Sequence, residues 1–358
     1  MNFDFNKLHT FTKHVFLACG MPESEAKLAA DVLLTADLRG IDSHGVARLS
    51  GYVRLYNAKR ANMNPVIKIL HETPSTATID ADEGLGLTVA PKAMQIAIDK
   101  AKQVGTGWVA IQNSNHFGIA AYHAMMALEH DMIGIAMTNA SPLVAPTNSK
   151  ERMLGTNPMC YVFPAGKHQP VVVDLATSTA ANGKLEIAQR ANKQVPKGWI
   201  IDKEGNDTTD PNALKNGGVL QPLGSGDTQA GHKGFGLSAV VDIFSAVLSG
   251  ANYGPWVPPF VAFLNPLPDL PGKGIGHFVG AMRIDAFRPA NEFKHHMDNW
   301  IDRFKKATPI DINQPVIIPG EPEFAHHKER MANGIPLNNL VVEDLKKLAQ
   351  ELNIDWLN

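Results

Sequence analysis

Apolar residues recur with a helical period along the first forty residues of the chain, as amphipathic helices require. The pattern predicts a helix over residues 6–18 that stops at Gly20, where glycine suits a left-handed C-terminal cap. A second helix runs from Pro22 to Gly40, with proline in the first turn and glycine past the last. A third helix is expected to start near Ser43.

The middle of the chain changes to short apolar runs that alternate with helical segments. Residues 77–80, 108–112 and 132–139 predict strands, and residues 118–130 predict a helix between the last two. Two more strands are expected in MCYVFPAG and PVVVDLATS. Strand, helix and strand in succession form a crossover unit, so the predicted fold class is α/β.

The remaining segments carry weaker signals. Two helices are expected within residues 180–250, separated by turns, and MRIDAFRP (282–289) alternates as a strand does. The glycine-rich stretches 84–90 and 272–280 are interpreted as turns. The last fifty residues predict two charged amphipathic helices, separated by VIIPGEPE.

Composition and charge narrow the class of partner. The 358 residues are 44% hydrophobic and 19% charged, with a formal net charge of -2, so the basic surplus that binds nucleic acid or an acidic membrane is missing. No apolar run approaches the ~18 residues of a membrane-spanning helix, and the start lacks the order of a signal peptide. Cys19 and Cys160 are far apart, which favours a reducing cytoplasm over a disulfide framework.

Several motifs that would define an enzyme class are absent. The stretch 84–90 supplies only the first two glycines of the G-x-G-x-x-G turn of a Rossmann nucleotide site. The P-loop, G-x-S-x-G and H-E-x-x-H patterns are also missing. The doublets His295-His296 and His326-His327 do not have the i, i+4 spacing of a helical metal pair, so no metal site is expected.

The segment RGIDSHGVARLSGY (39–52) contains a first candidate site. His44, Arg48 and Tyr52 are spaced i, i+4, i+8, so on a helix they would form one polar stripe. Arginine can hold a carboxylate by two hydrogen bonds, and histidine can exchange a proton near neutral pH. In the alternative interpretation Ser43 caps a helix while His44 and Arg48 are solvated. The spacing alone favours that alternative.

A second candidate, His116, lies in the turn between a buried strand and a helix. Ligands of α/β sheets bind at the carboxyl ends of strands, which is where this turn is expected. Alternatively, the turn only provides helix caps and His116 has no role. The residues do not decide between the two, whereas His123, farther along the helix, is interpreted as structural.

Three further segments could receive a polar cofactor. Asp174 and the hydroxyls that follow it end a predicted strand, although they could equally cap a helix. The loops GHKGFG (231–236) and IPGEPE (318–323) could present backbone amides or Lys233 to phosphate or ribose. Each of these signals is weak when taken alone.

Taken together, the motifs resemble those of one known family. RGIDSHGVARL, NSNHFGIAAYHAMMA, LGTNPMCYVFPAG, DLATSTAANGKLEIA, GWIID-x-x-GN-x-TTDP, KGFGLS and IPGE occur in that order between about residues 5 and 340. The chain thus resembles the malate/L-lactate dehydrogenase family of the non-Rossmann type, with relatives such as ureidoglycolate dehydrogenase, diketogulonate reductase and sulfolactate dehydrogenase. The resemblance implies a homodimer with a non-Rossmann, nicotinamide-binding mixed sheet, which agrees with the missing glycine motif.

The resemblance also implies which residues form the site. The S-H-G-x-x-R match makes His44 and Arg48 catalytic, and the N-x-H-F-G match adds His116 as the expected proton donor. Substrate contacts are expected from Ser43, Arg48, Tyr52, Thr156 and Asn157. Cofactor contacts are expected from Asn139, Asp174, Leu175, Ala176, Thr177, Ser178, Lys233, Gly234, Pro319, Gly320 and Glu321. The loop 225–234 is longer than that of some members, which weakens the assignment of Lys233.

Three units follow from the helical ends, the α/β middle and the resemblance. Residues 1–75 with 325–358 are predicted to form a helical domain with substrate-side and dimer contacts. Residues 76–185 with 251–324 are predicted to form the α/β cofactor-binding domain, and residues 186–250 a smaller helical segment.

The function implied is hydride transfer between NAD, with NADP possible, and a small 2-hydroxy or 2-oxo acid, foremost malate and oxaloacetate. Alternatives are a piperideine-2-carboxylate reductase, a ureidoglycolate, lactate or sulfolactate dehydrogenase, and a protein that only binds a nucleotide or metabolite. Malate would need a contact for its distal carboxylate, for which Arg54 and Lys150 are candidates by charge alone.

Overall fold

A computed structural model of the chain describes residues 1–226, 229–262 and 264–357. Its α-helices are α1 (Phe5–Ala18), α2 (Glu23–Leu38), α3 (Leu49–Asn57), α4 (Gly86–Val104), α5 (Ala120–Met125), α6 (Asn182–Arg190), α7 (Gly231–Asp242), α8 (Ala290–Lys305), α9 (Glu321–Asn333) and α10 (Asn339–Glu351). Its strands are β1 (Asn2–Phe3), β2 (Lys68–Glu72), β3 (Thr76–Asp80), β4 (Thr106–Ser114), β5 (Met132–Thr138), β6 (Met159–Phe163), β7 (Val171–Leu175), β8 (Ile200–Ile201), β9 (Asp207–Thr208), β10 (Val219–Leu220), β11 (Ile275–Arg283) and β12 (Ile335–Pro336).

The centre of the fold is a seven-stranded mixed sheet with the strand order β2-β3-β4-β11-β5-β6-β7. Only β3 and β4 pair in parallel, and the other neighbouring strands pair antiparallel. As a result β3, β4, β5 and β7 all point the same way, and their carboxyl ends meet at one edge of the sheet. The predicted α/β class, with a mixed sheet and helices, is confirmed.

Strand β11 shows where the sequence prediction was wrong. Residues 272–280 were interpreted as turns and 282–289 as a strand, but the strand covers Ile275–Arg283 and a 3-10 turn follows it. Most of β11 is buried, so no alternation of apolar and polar residues marks it. Its glycines are required by close neighbours, because a Cβ on Gly280 would lie 2.3 Å from the Trp108 ring.

Helices cover the sheet and form a second core beside it. Helices α4 and α5 pack on one face of the sheet, in a cluster that includes Val109, Ala136 and Val279. The other face carries Phe278 and Met137, against which Val241 of α7 packs. A separate apolar cluster joins α1, α2 and α3 to α10, so the two ends of the chain share one core.

The first two predicted helices are confirmed as α1 and α2, and Gly20 and Gly40 adopt the left-handed conformation past their ends. Two predictions farther along need correction. The last fifty residues contain two helices as predicted, α9 and α10, but VIIPGEPE does not separate them: it leads into α9, and the break between the two helices lies at Gly334 (φ +84°). Residues 186–250, predicted as a helical segment, also contain the small antiparallel sheet β10-β8-β9.

Candidate active site

The segment that carries His44 and Arg48 is not the start of an α-helix. Two 3-10 turns, Asp42–His44 and Val46–Arg48, precede α3, so the predicted third helix starts at Leu49. Gly45, between the turns, has an extended backbone (φ -90°, ψ -146°) that interrupts helical hydrogen bonding. The expected i, i+4 stripe from His44 to Arg48 is therefore wrong as a helical geometry.

The side chains of this segment bond to one another. The Ser43 hydroxyl lies 2.9 Å from His44 Nδ1, and Arg48 Nε donates to the Ser43 carbonyl oxygen at 2.6 Å. Both His44 and Arg48 are half-buried, and Ser43 makes no helix cap. The alternative in which Ser43 caps a helix over solvated side chains is therefore wrong. Burial, followed by the charge of Arg48, lowers the pKa of His44 to about 4.

The loop after β4 brings His116 to the edge of the sheet. Its Nδ1 accepts hydrogen bonds from the Tyr52 hydroxyl at 2.6 Å and from the Gly118 N–H at 3.3 Å. A backbone N–H can only donate, so the neutral imidazole carries its proton on Nε2. Burial first, and then the charges of His44 and Arg48, lower the pKa of His116 well below 6.5.

Aromatic rings enclose His116. The His44 ring stacks on it, with centroids 5.6 Å apart and planes 25° apart. Tyr52, completely buried, lies 5.9 Å away, and Phe260 lies 5.0 Å away. The structure thus brings together His44, Tyr52 and His116 as the sequence analysis expected. Phe260 was missed, since nothing in its local sequence connects it with these residues.

A buried polar network lies beneath His116. His277 on β11 bonds through Nδ1 to Thr138 and through Nε2 to Ser114, at 2.7 and 2.9 Å. His123 bonds to the Phe117 carbonyl oxygen at 2.8 Å and is fully buried, which agrees with a structural role. His277 was missed because its strand was interpreted as a turn.

Most of the predicted cofactor-side polar residues also lie at this edge, but their atoms bond within the protein. Asn139, at the end of β5, donates to Asp242 and accepts from the Gly276 N–H. Asn157, which was predicted with Thr156 to contact the substrate, likewise bonds within the protein: it accepts from the Ala140 N–H and donates to the Ser238 carbonyl oxygen. The remaining hydroxyls bond to backbone: Thr177 donates to the carbonyls of Thr156 and Asn157, and Ser178 to that of Ala180.

Other predicted cofactor residues line a cavity of about 350 Å³. Asp174 and Leu175 form one wall of it, and Pro319 and Gly320 form another. The left-handed Gly320 (φ +97°) allows close packing, because a Cβ there would lie 3.0 Å from Val172. The Glu321 carboxylate bonds to Lys305 and to the Ile318 N–H and does not line this cavity.

Charges are concentrated at this cavity. Asp174 accepts from the Ala121 N–H at 3.0 Å, and burial raises its pKa to about 6. Arg39, only 2% exposed, also lines the cavity, and its Nε has no hydrogen-bond partner in the described part of the chain. Glu323 completes a group of one guanidinium and two carboxylates.

The remaining predicted residues lie nearby or at the surface. Gly234 packs so closely on Leu223 that a Cβ would lie 2.1 Å from the Leu223 carbonyl oxygen. The Leu223 N–H in turn donates to the Thr177 carbonyl, which connects the start of α7 with the end of β7. Lys233 is exposed and Ala176 half-buried. Arg54 and Lys150 are exposed.

Within the described ranges, no helix is long and apolar enough to cross a membrane. The same residues contain no group of three or more histidine, cysteine, aspartate or glutamate side chains arranged to hold a metal ion.

Comparison with known proteins gives the family. The malate/L-lactate dehydrogenase family matches residues 3–346. A malate dehydrogenase of Pyrococcus horikoshii is 42% identical over 353 residues, which are 98% of this chain and 96% of that protein. The chain belongs to the malate/L-lactate dehydrogenase family, which confirms the resemblance inferred from its motifs and the prediction that it is a dehydrogenase.

Solved structures agree with this membership. The sulfolactate dehydrogenase of Methanocaldococcus jannaschii superposes with a TM-score of 0.90 at 36% identity, covering 99% of this chain and 98% of that one. The malate dehydrogenase of Entamoeba histolytica gives a TM-score of 0.91 at 31% identity, covering 99% of both chains.

Proposed function

We propose that the protein is an NAD-dependent dehydrogenase that interconverts malate and oxaloacetate, or a closely related pair of 2-hydroxy and 2-oxo acids. The observation that carries the proposal is the convergence of His44, Arg48, Tyr52 and His116 at one edge of the sheet. The names of relatives, malate dehydrogenase at 42% identity and sulfolactate dehydrogenase among solved structures, support small 2-hydroxy acids as substrates.

Arg48 holds the substrate carboxylate. Its Nε is used by the Ser43 carbonyl, which fixes the plane of the guanidinium. The terminal N–H groups of its guanidinium donate no hydrogen bond to the residues that the structure describes. They are therefore available for a two-point contact with a carboxylate. His44, whose Nδ1 is occupied by Ser43, offers Nε2 to the same substrate.

His116 exchanges the proton of the reacting oxygen. Its Nδ1 is occupied by Tyr52 and Gly118, so Nε2 is the atom that can reach a substrate. In reduction, protonated His116 donates its Nε2 proton to the carbonyl oxygen. The neutral ring that forms keeps its proton on Nδ1, which then donates a hydrogen bond to the Tyr52 oxygen instead of accepting one from the Tyr52 hydroxyl. General acid catalysis of this kind contributes about 100- to 10,000-fold.

The residues present fit a nicotinamide cofactor. The cavity between β7 and residues 317–320 is lined by apolar residues such as Val172, Leu175 and Ile318 together with the charged Arg39, Asp174 and Glu323, and we assign it to the nucleotide. Asp174, Leu175, Pro319 and Gly320 would hold the cofactor there, and Ala176, Thr177 and Ser178 follow this wall along the chain. When bound, the nicotinamide supplies or accepts the hydride, and the protein positions it.

The charges at the cavity favour NAD over NADP. Asp174 and Glu323 place two carboxylates beside the single guanidinium of Arg39. The extra phosphate of NADP would add negative charge to a group that already has an excess of it. The kcat/KM for NADH is therefore expected to exceed that for NADPH.

The protein is proposed to act as a homodimer in the cytoplasm. One side of residues 237–248 presents exposed apolar side chains, each 40% to 56% exposed: Leu237, Val240, Ile243, Phe244, Val247 and Leu248. A patch of this kind is typical of a protein interface. Light scattering should give twice the chain mass of 38.8 kDa.

The two free, buried cysteines agree with a reducing compartment.

A substrate and cofactor panel tests the proposal. Purified protein is mixed with NADH or NADPH and with oxaloacetate, pyruvate, sulfopyruvate or piperideine-2-carboxylate, and the loss of absorbance is followed. The fastest turnover is expected with oxaloacetate and NADH. A preference for the cyclic imine would instead identify an imine reductase, and no oxidation with any compound would contradict a dehydrogenase function.

A further inference from the structure

Asp37 is a carboxylic acid on the apolar face of α2. It shares the helical period of the core residues around it and is only 1% exposed. An acidic side chain in such a place is costly unless a specific partner compensates for its burial. Its partners lie in the segment that carries His44 and Arg48.

The Asp37 carboxyl group occupies the inside of that segment. Its Oδ2 accepts a hydrogen bond from the Val46 N–H at 2.8 Å, at the start of the second 3-10 turn. Gly45 makes the approach possible, because a Cβ there would lie 2.0 Å from Asp37 Oδ1. The carboxyl group thus fills the space that any larger residue at position 45 would need.

Helix α9 supports the same segment from outside. Arg330 donates to the Asp37 carbonyl oxygen and to the Asp42 carboxylate. The His326 ring lies 2.8 Å from the position of a Cβ on Gly40. The backbone from Gly40 to Val46 is therefore held on both sides, by α2 and by α9.

We propose that Asp37 is a positioning residue for the reaction proposed above, because its carboxyl group fixes the turn that places His44 and Arg48 beside His116. The inference rests on the proposed function. Asp37 bonds to the backbone between His44 and Arg48 and not to the side chains that meet the substrate. Burial raises its pKa to about 8, so the neutral acid, which asparagine imitates, predominates at neutral pH.

The test compares Asp37→Asn, Asp37→Ala and the control Asp31→Asn, which changes an acid on the same helix that bonds to His9 and Lys27. Asparagine keeps an acceptor for Val46 and should retain wild-type kinetics, as should the control. Alanine removes the acceptor and should lower kcat/KM for oxaloacetate by about 100-fold, the effect of displacing a reacting group by roughly 1 Å. The KM for NADH should not change.

Crystal structures of the variants provide a readout that does not depend on activity. The segment 42–48 is expected to shift in Asp37→Ala and to keep its position in Asp37→Asn. If alanine prevents folding, Gly45→Ala replaces it, since the added Cβ collides with Asp37 and should produce the same selective loss.

An unmoved segment in Asp37→Ala, wild-type kcat/KM for oxaloacetate in that variant, or an equal rise in the KM values for oxaloacetate and NADH would overturn the positioning role. If the wild-type protein oxidises NADH with none of the 2-oxo acids, the proposed function fails, and the crystal structures alone decide the role of Asp37.

Discussion

The two halves of the candidate site use their polar atoms in opposite ways. On the substrate side, His44, Arg48 and His116 each form a hydrogen bond to the protein through one nitrogen and keep another nitrogen for a ligand. In His116 these are Nδ1 and Nε2. On the cofactor side, buried polar side chains such as Asn139 and Thr177 bond entirely to the protein. The first arrangement is suited to chemistry and the second to building a rigid cleft.

This difference predicts how each half of the site responds when one of its side chains is truncated. Truncating a substrate-side residue removes a group that meets the substrate, so catalysis should fall while the fold persists. Truncating a cofactor-side residue leaves buried partners unpaired, so stability should fall first. Four substitutions examine this contrast.

The largest effect is expected from His116→Ala. The variant loses the proposed proton donor, so kcat should fall by about 100- to 10,000-fold, whereas the Tyr52 hydroxyl that it leaves unpaired should cost only about 1–3 kcal/mol of stability. Steady-state kinetics with oxaloacetate and NADH measure the loss. His130→Ala, at an exposed position, is the matched control and should be as active as wild type. Near-wild-type turnover of His116→Ala would refute its role.

Arg48→Ala should act mainly on binding. A hydrogen bond to a charged group contributes about 1.5–3 kcal/mol, so the KM for oxaloacetate should rise about tenfold to a hundredfold, with a smaller change in kcat. Arg303→Ala, exposed on α8, controls for the loss of a positive charge. A rise confined to the KM for NADH would move Arg48 to the cofactor side of the comparison.

Asn139→Ala should lower the stability of the fold more than catalysis, unlike the two substrate-side variants. Its loss leaves the Gly276 N–H and Asp242 Oδ1 without a partner, although Asp242 Oδ2 keeps the Gly254 N–H, and each buried unpaired group costs about 1–3 kcal/mol. Chemical denaturation measures the decrease in the free energy of unfolding, and the exposed Asn299→Ala is the control. If stability were unchanged while kcat collapsed, Asn139 would contact the substrate or cofactor directly.

The smallest effect concerns the buried histidines beneath His116. Burial lowers the pKa of His123 to about 4, whereas the unfolded chain has its ordinary value of 6.5. Between these values the unfolded state binds more protons, so stability is lost as the pH falls from 6.5 toward 4.

The variant His123→Gln removes the contribution of this histidine to the pH dependence of the unfolding free energy. The slope of unfolding free energy against pH should decrease by about 1.2 kcal/mol per pH unit between pH 5 and 6. Denaturation curves at several pH values measure it. An unchanged slope would mean that His123 titrates normally in the folded protein.

Sequence motifs predicted the candidate site residues but not the contacts that organise them. The S-H-G-x-x-R and N-x-H-F-G motifs led to His44, Arg48 and His116, which the fold brings together. Local periodicity could not show that β11 lies between β4 and β5, because a strand buried on both faces has no alternation. Phe260 was missed because its contact with His116 depends on long-range packing.

Asp37 illustrates the same limit. Its helical period was visible in the sequence, yet its partner, the Val46 N–H, is a backbone group that no residue pattern reveals. The helix predicted from Ser43 failed for the same reason, since a buried carboxyl group and an extended glycine outweigh the local preference for a helix.

The central claim is that Arg48 and His116 meet one small acid beside a nicotinamide. A crystal structure with NADH and oxamate, an unreactive isostere of pyruvate, tests it most directly. The oxamate carboxylate is expected on the Arg48 guanidinium and its carbonyl oxygen within hydrogen-bond reach of His116 Nε2, about 2.6–3.2 Å. Oxamate bound away from both residues, or a nicotinamide ring that does not face it, would contradict the account.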